Sequence, residues 1–140
     1  MSQRNVTISF KSHMFDTDEQ IEITAKGIHG IKNGKHYVTY NEEDEGNKTV
    51  RNILKFDSES LEVSKIGTTR TNMYYKAEHT HTDVYRTPFG EYDMCIKTEE
   101  YALFETEKND MPKYDIVLLY NLELGGSHVS TCKVEISVEG

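Results

Sequence analysis

Polar side chains interrupt the apolar faces of several predicted strands, and they are the first candidates for chemistry. Residues two apart in a strand point to the same side, so a polar residue that continues an apolar series shares its face. The inward polar residues predicted in this way are Tyr40, Glu42, Lys65, Thr98 and Tyr120. A charge on an inward face needs a partner because its desolvation is costly. We therefore predict a Lys65–Glu42 ion pair with tyrosine hydroxyls nearby.

This polar set has two interpretations. It could orient a small, partly apolar ligand inside the protein, since ligand pockets combine apolar walls with a few polar groups. Alternatively, the residues lie near strand ends and reach water, as lysine stems often run along apolar surface with the amine in solvent. The choice depends on whether the interior is open or filled.

A second candidate is the turn of residues 85–90, which combines an aromatic residue, a cation and a hydroxyl with Pro and Gly. Its structural interpretation is that Tyr85 and Phe89 cover one end of the fold, with Pro and Gly fixing the turn. Its functional interpretation is that Arg86 meets an anionic ligand, as loops at the end of a fold often carry function.

A third candidate is the pair His79 and His81, which we place in a short polar turn. If these residues were in a strand, both imidazoles could face one metal ion, with Asp83 as a third ligand. A solvated polar turn explains the same residues, and we assign neither a metal nor a cofactor. The chain also lacks the Gly-x-Ser-x-Gly, phosphate-loop and His-Glu-x-x-His motifs, so no catalytic residue is predicted.

The elements that position these residues are predicted to be strands throughout. Apolar residues recur with period two, and no segment has the three- and four-residue spacing of a helix. Asn33-Gly34 predicts a tight hairpin, and the acidic residues 41–47 predict an exposed hairpin tip. After Thr98 we expect a kink near Glu99, with Ala102 and Phe104 continuing the apolar face. The 140 residues suit one domain.

The pattern predicts an all-β fold, an antiparallel up-and-down meander of about eight to ten strands that closes into a barrel, with a sandwich as the alternative. Closure is favoured because it removes exposed strand edges. An interior of this size either fills with side chains or holds one small ligand.

Charge and composition limit the partners. The chain has 24 acidic and 16 scattered basic residues, a formal charge of −8, so nucleic acid is not an expected partner. No apolar run is long enough for a transmembrane helix and no signal peptide is evident, so we expect a cytoplasmic protein. Cys95 and Cys132 are expected to be reduced, although neighbouring strands could bring them together.

Several short segments resemble the YwiB-like proteins, a family of small bacterial barrels of unknown function. They occur in the same order over nearly the whole chain, and the most specific is Tyr-x-Thr-Pro-Phe-Gly. These segments are Tyr37 to Tyr40 with Glu42, Lys65 to Gly67, Tyr85 to Gly90, Ile96 to Thr98, and Leu119 to Leu122. The resemblance implies a calycin/lipocalin-like barrel and no activity. Lys65 stands where the family is expected to have arginine, so bidentate hydrogen bonding would be lost at this position.

Two functions follow from these expectations. The first is a binding module whose barrel holds a small ligand, contacted by Tyr40, Glu42, Lys65, Thr98 and Tyr120, with residues 85–90 at one end. The second is a structural or interaction protein with a filled barrel, which could form a homodimer. An enzyme is the least supported alternative, because it would need a cleft with titratable groups in mutual reach.

Overall fold

The computed structural model describes residues 3–43, 46, 48–67 and 70–140, and every regular element in these ranges is a strand. These ranges contain no helix with the length and apolar character that a membrane span requires. The ten strands are β1 (Gln3–Met14), β2 (Glu19–Lys32), β3 (Lys35–Glu43), β4 (Thr49–Phe56), β5 (Ser60–Ile66), β6 (Arg70–Lys76), β7 (His79–Thr87), β8 (Gly90–Lys108), β9 (Met111–Leu124) and β10 (Ser127–Glu139).

All ten strands form one antiparallel sheet with the order β6-β5-β4-β3-β2-β1-β10-β9-β8-β7. The two outermost strands, β6 and β7, follow one another in the chain and meet through side chains. His81 Nε2 lies 3.2 Å from the carbonyl oxygen of Asn72, and the rings of Tyr74 and His79 pack edge to face. The sheet is therefore a nearly closed barrel, which confirms the predicted antiparallel all-β fold.

The core lies on the inward face of the alternating strands. Its fully buried members come from β1, β3, β4, β5, β8, β9 and β10, so most of the barrel wall contributes to it. Apolar burial of this kind is the main favourable term in folding. The largest buried apolar side chains are Phe56, Ile8, Leu54, Leu61, Ile96, Ile116, Leu118, Val38 and Val138.

A bulge in β8 corrects one predicted face. The register between β8 and β9 shifts between Thr98 and Glu100, which is the expected kink. Because a bulge adds one residue to a strand, it exchanges the two faces beyond it. Tyr101 and Leu103 therefore pack against the core, whereas Phe104 is 54% exposed. The prediction that Ala102 and Phe104 continue the apolar face was wrong.

Turn chemistry was predicted well at one hairpin and poorly at another. Asn33 and Gly34 form the predicted hairpin turn with φ of 53° and 76°, values that glycine and asparagine tolerate. The predicted turn at His79 and His81 was wrong, because both residues lie in β7 and the turn precedes them. The predicted acidic tip of residues 41–47 falls partly on residues 44, 45 and 47, which lie outside the described ranges.

The barrel wall has an incomplete seam between β2 and β3. Their ladder runs only from the Ile28–Thr39 pair to the Lys32–Lys35 pair, although β1 pairs with β2 along its whole length. At Gly27 the strands are so close that a Cβ atom would lie 2.5 Å from the Thr39 carbonyl oxygen. The described residues that precede Ile28 in β2 and follow Thr39 in β3 form no ladder with one another. We call the gap between residues 19–26 of β2 and residues 41–43 of β3 the side opening.

Replacement of Gly27 by alanine should destabilise the protein by about 1–3 kcal/mol, because overpacking next to a carbonyl oxygen forces the backbone to shift. The added Cβ would also lie 2.7 Å from Ile8 Cδ1. Gly67→Ala is the matched control, since the nearest atom to its Cβ would be Val50 Cγ2 at 3.1 Å, a side-chain methyl rather than a backbone carbonyl. Urea unfolding measures both. Equal losses in the two variants would contradict the close approach at Gly27.

Candidate functional site

An ion pair projects into the barrel from β3 and β5. Lys65 Nζ lies 3.0 Å from Glu42 Oε1, which confirms the predicted pairing. Asn52 on β4 is fully buried and donates a second hydrogen bond to the same oxygen at 3.1 Å. The side chains of Lys65 and Glu42 are 42% and 38% exposed, so both charged groups reach water.

Burial and neighbouring groups shift the pKa values of Glu42 and of two nearby tyrosines. Burial opposes ionisation of Glu42, but the hydrogen bonds from Lys65 and Asn52, with the lysine charge, outweigh it and lower the pKa of Glu42. Burial, followed by the charge of Glu42, raises the pKa of Tyr40. Burial likewise raises the pKa of Tyr120, with Tyr75 beside it. Near neutral pH Glu42 is therefore a carboxylate, and the phenols of Tyr40 and Tyr120 are neutral.

Two cavities in the barrel meet at this site. The β2-side cavity has a volume of about 290 Å³ and extends from the side opening to buried Leu118. The β7-side cavity has a volume of about 370 Å³ and is walled by β5, β6, β7, β8 and β9. Both are lined mainly by apolar side chains. The residues that line both cavities are Lys65, Met73, Tyr75 and Tyr120.

The structure brings together most of the predicted site residues. Tyr40 and Glu42 line the β2-side cavity, Tyr85 lines the β7-side cavity, and Lys65 and Tyr120 line both. The remaining two predicted residues, Thr98 and Arg86, line neither of these two cavities.

Thr98 is opposite Tyr120 in the β8–β9 ladder and is covered by its neighbours. It is 3% exposed, and its hydroxyl has no hydrogen-bond partner among the described residues. Its inward orientation agrees with the predicted apolar face of β8.

Arg86 lies on the opposite face of β7 from Tyr85 and forms an ion pair with Glu91 at 3.3 Å. It is therefore not part of the cavity lining. Phe89 at the hairpin tip is 93% exposed, so the prediction that it covers one end of the barrel was wrong.

The predicted histidine pair has other contacts. The His79 ring packs against Tyr74, and His81 Nε2 contacts the backbone of Asn72. Within the described residues, no three His, Cys, Asp or Glu side chains gather as metal ligands would. Cys95 and Cys132 are free thiols, as predicted.

Sequence reasoning missed Asn52 and a cluster at the other end of the barrel. Arg4 Nε donates to His29 Nδ1 at 3.2 Å, and His29 Nε2 lies 2.9 Å from His36 Nδ1. The signals were present: Asn52 interrupts an apolar face, and the Asn33-Gly34 hairpin brings His29 and His36 to the same face of adjacent strands.

This cluster of Arg4, His29 and His36 keeps its histidines neutral. Burial first, then the charge of Arg4 and the neighbouring His36, lowers the pKa of His29 to about 4. Burial also lowers the pKa of His36, although the carboxylates of Glu105 and Asp57 oppose this effect. Because His29 Nδ1 accepts a hydrogen bond from Arg4, the neutral ring carries its proton on Nε2 and donates it to His36.

Comparison with known proteins identifies a family, a relative and a solved structure that are similar to this chain. The family model "Domain of unknown function (DUF1934)" matches residues 6–136. The uncharacterized beta-barrel protein YwiB of Bacillus subtilis (strain 168) is 25% identical over 137 residues, which cover 96% of this chain and 93% of that protein. The crystal structure of the ywiB protein from Bacillus subtilis superposes with a TM-score of 0.82 at 23% identity, covering 99% of this chain and 92% of that one. This likeness shows a shared fold.

The His29 cluster predicts a loss of stability in mild acid. The ordinary histidine pKa of 6.5 falls to about 4 in the folded protein, so the unfolded chain binds more protons between these values. The free energy of unfolding should therefore be highest above pH 6.5 and fall by about 3 kcal/mol as the pH drops to 4. Urea unfolding across this range measures the slope.

His29→Gln should remove much of that slope, whereas His79→Gln, which changes an exposed histidine, should preserve it. Wild-type and His29→Gln proteins with the same slope would contradict a neutral, buried His29.

Proposed function

The chain belongs to the DUF1934 family, and we propose that it binds a small, partly apolar molecule inside the barrel. Its resemblance to the YwiB-like proteins is confirmed, and it shares their β-barrel fold. The proposal rests on one observation: two mainly apolar cavities meet at a charged, hydrogen-bonded group of side chains on the inward face.

The cavity walls have the composition of a ligand site. Volumes of about 290 and 370 Å³ lie at the small end of the range for ligand pockets. Leucine, isoleucine, methionine and tyrosine side chains supply apolar contact, and few polar groups interrupt them. A guest of this size would displace water from apolar surface, at a gain of roughly 25 cal/mol per Å² buried.

The polar groups at the junction of the cavities would orient the guest. The hydrogen bonds from Lys65 and Asn52 both end on Glu42 Oε1. A guest can therefore use Glu42 Oε2 as an acceptor and further N–H groups of the lysine as donors. The neutral hydroxyls of Tyr40 and Tyr120 add donors and acceptors on the same walls.

A second candidate function is a protein interaction at the side opening. Residues 19–26 of β2 form an edge without a ladder on the β3 side, and Ile21 and Ile23 on this edge are 45% and 48% exposed. Such an edge can pair with a strand of another chain. A homodimer formed in this way would appear as a concentration-dependent increase of mass in analytical ultracentrifugation, and a monomer at all concentrations would exclude it.

The binding proposal predicts that filling the junction of the cavities abolishes binding. Met73 lines both cavities, so Met73→Trp should weaken binding of the neutral apolar dye N-phenyl-1-naphthylamine at least tenfold, measured by dye fluorescence. The chain has no tryptophan, so the emission of the introduced residue also reports whether its ring is buried in the cavities. Native mass spectrometry of protein purified from its host then shows whether a guest co-purifies.

Tyr74→Trp is the matched control, because it places the same residue on the outward face of the same strand. It should change dye affinity by less than about twofold, well under the 1.4 kcal/mol of a tenfold change. Urea unfolding establishes that both variants fold. If neither the dye nor any co-purifying guest binds the wild-type protein, the binding proposal is wrong.

A further inference from the structure

We propose that the guest is a linear, single-chain amphiphile with an uncharged hydrogen-bonding head, whose chain enters through the side opening. This inference rests on the proposed binding function and specifies the class of ligand and its orientation. The head of the guest lies at Glu42 and Lys65. Its chain lies in the β2-side cavity and contacts Ile21 and Ile23 at the side opening.

The side opening exposes apolar side chains that belong to the inward face. Ile23 is opposite Phe10, and Ile21 is opposite Ser12, in the β1–β2 ladder, so both isoleucines share the face of the core residue Ile8. They are nevertheless 45% and 48% exposed, because β3 no longer covers this part of β2. Apolar side chains that face the core but remain in contact with water can bind an apolar chain, because the chain would cover them.

The same cavity connects this exposed surface with the buried core. Its lining includes Ile21 and Ile23 at the opening, and Leu54, Leu61 and Leu118 at its base, each only 1% exposed. A guest that follows the cavity therefore passes from solvent into the core. A volume of about 290 Å³ suits one narrow chain rather than a branched or two-chain molecule.

The charges in the cavity favour a neutral head. Glu42 and Lys65 neutralise one another at 3.0 Å, and both line this cavity. A carboxylate head would gain the lysine but would lie beside the carboxylate of Glu42, and an ammonium head would meet the reverse problem. A hydroxyl or amide can use both groups without adding a charge that must be desolvated.

Affinity for a series of linear primary alcohols tests the chain. Butanol, hexanol, octanol and decanol should displace N-phenyl-1-naphthylamine with affinity that rises about fourfold per methylene, the equivalent of about 0.8 kcal/mol, until the cavity is filled. Octanoate and octylamine should bind at least tenfold more weakly than octanol. Equal affinity along the alcohol series, or tighter binding of octanoate or octylamine, would overturn the proposed ligand class.

The route is tested by the double variant Ile21→Gln/Ile23→Gln. It should weaken octanol binding at least fivefold and reduce the gain per methylene, because the chain would meet polar amides at the opening. Ile28→Gln is the control, since Ile28 lies on the outward face of the same strand and is 44% exposed. If the double variant binds octanol as tightly as Ile28→Gln does, the proposed route is wrong.

These results separate the inference from the function on which it rests. Dye binding that Met73→Trp abolishes, combined with no dependence on alcohol length, would retain the binding function and refute the amphiphile. Absence of both dye and alcohol binding to the wild-type protein would refute both.

Discussion

The charged pair on the inward face is the constraint from which the shape of the interior follows. Removing two ions from water costs several kcal/mol each unless geometry and further hydrogen bonds compensate. Glu42 and Lys65 compensate only in part, through one another and through Asn52, and both remain more than a third exposed. Apolar side chains therefore cannot close over them without a large penalty. This part of the barrel stays open because its inward face carries charge.

At the opposite end of the barrel, the inward histidines are neutral, and Arg4 is the charged member of their cluster. His36 stacks on Phe56 with ring centroids 4.9 Å apart and contacts Tyr114 at 4.4 Å. The Tyr101 hydroxyl donates to the carbonyl oxygens of Asp57 and Ser60. Aromatic rings with satisfied polar atoms can be buried at little cost. This end thus packs histidine and aromatic rings together, although a cavity of about 240 Å³ lies beside Arg4 and His29.

Period-two alternation allowed much of this arrangement to be predicted from the sequence. It placed Glu42, Lys65 and Tyr120 on inward faces, and the need to neutralise an inward charge predicted the ion pair. Tyr85 and Arg86 were both predicted as ligand contacts, but they are adjacent in β7 and face opposite sides, so only Tyr85 lines the interior. The position of Phe104 could not be predicted, because the bulge after Thr98 depends on the pairing of β8 with β9.

Long-range register explains the other differences between expectation and structure. Arg4 meets His29 only because β1 and β2 pair from the Gln3–Gly30 to the Met14–Glu19 positions, and nothing local to either residue encodes this contact. The side opening depends on how far β3 follows β2, and Gly27 is its one sequence signal. A glycine within a strand indicates close backbone approach or a bend, but it does not specify which neighbouring strand separates there.

The two incomplete seams of the barrel differ in chemistry, and this difference argues for a small guest at the side opening. Between β6 and β7, a two-residue turn, the contact of His81 with the Asn72 carbonyl and the ring contact of Tyr74 with His79 join the strands. On β2, the inward positions are Ile21 and Ile23, whereas the outward positions Glu22 and Lys26 are exposed and charged. Charged residues on an edge strand discourage pairing with another strand. These charges disfavour strand pairing at this edge, while its inward side still offers apolar surface to a molecule narrow enough to enter.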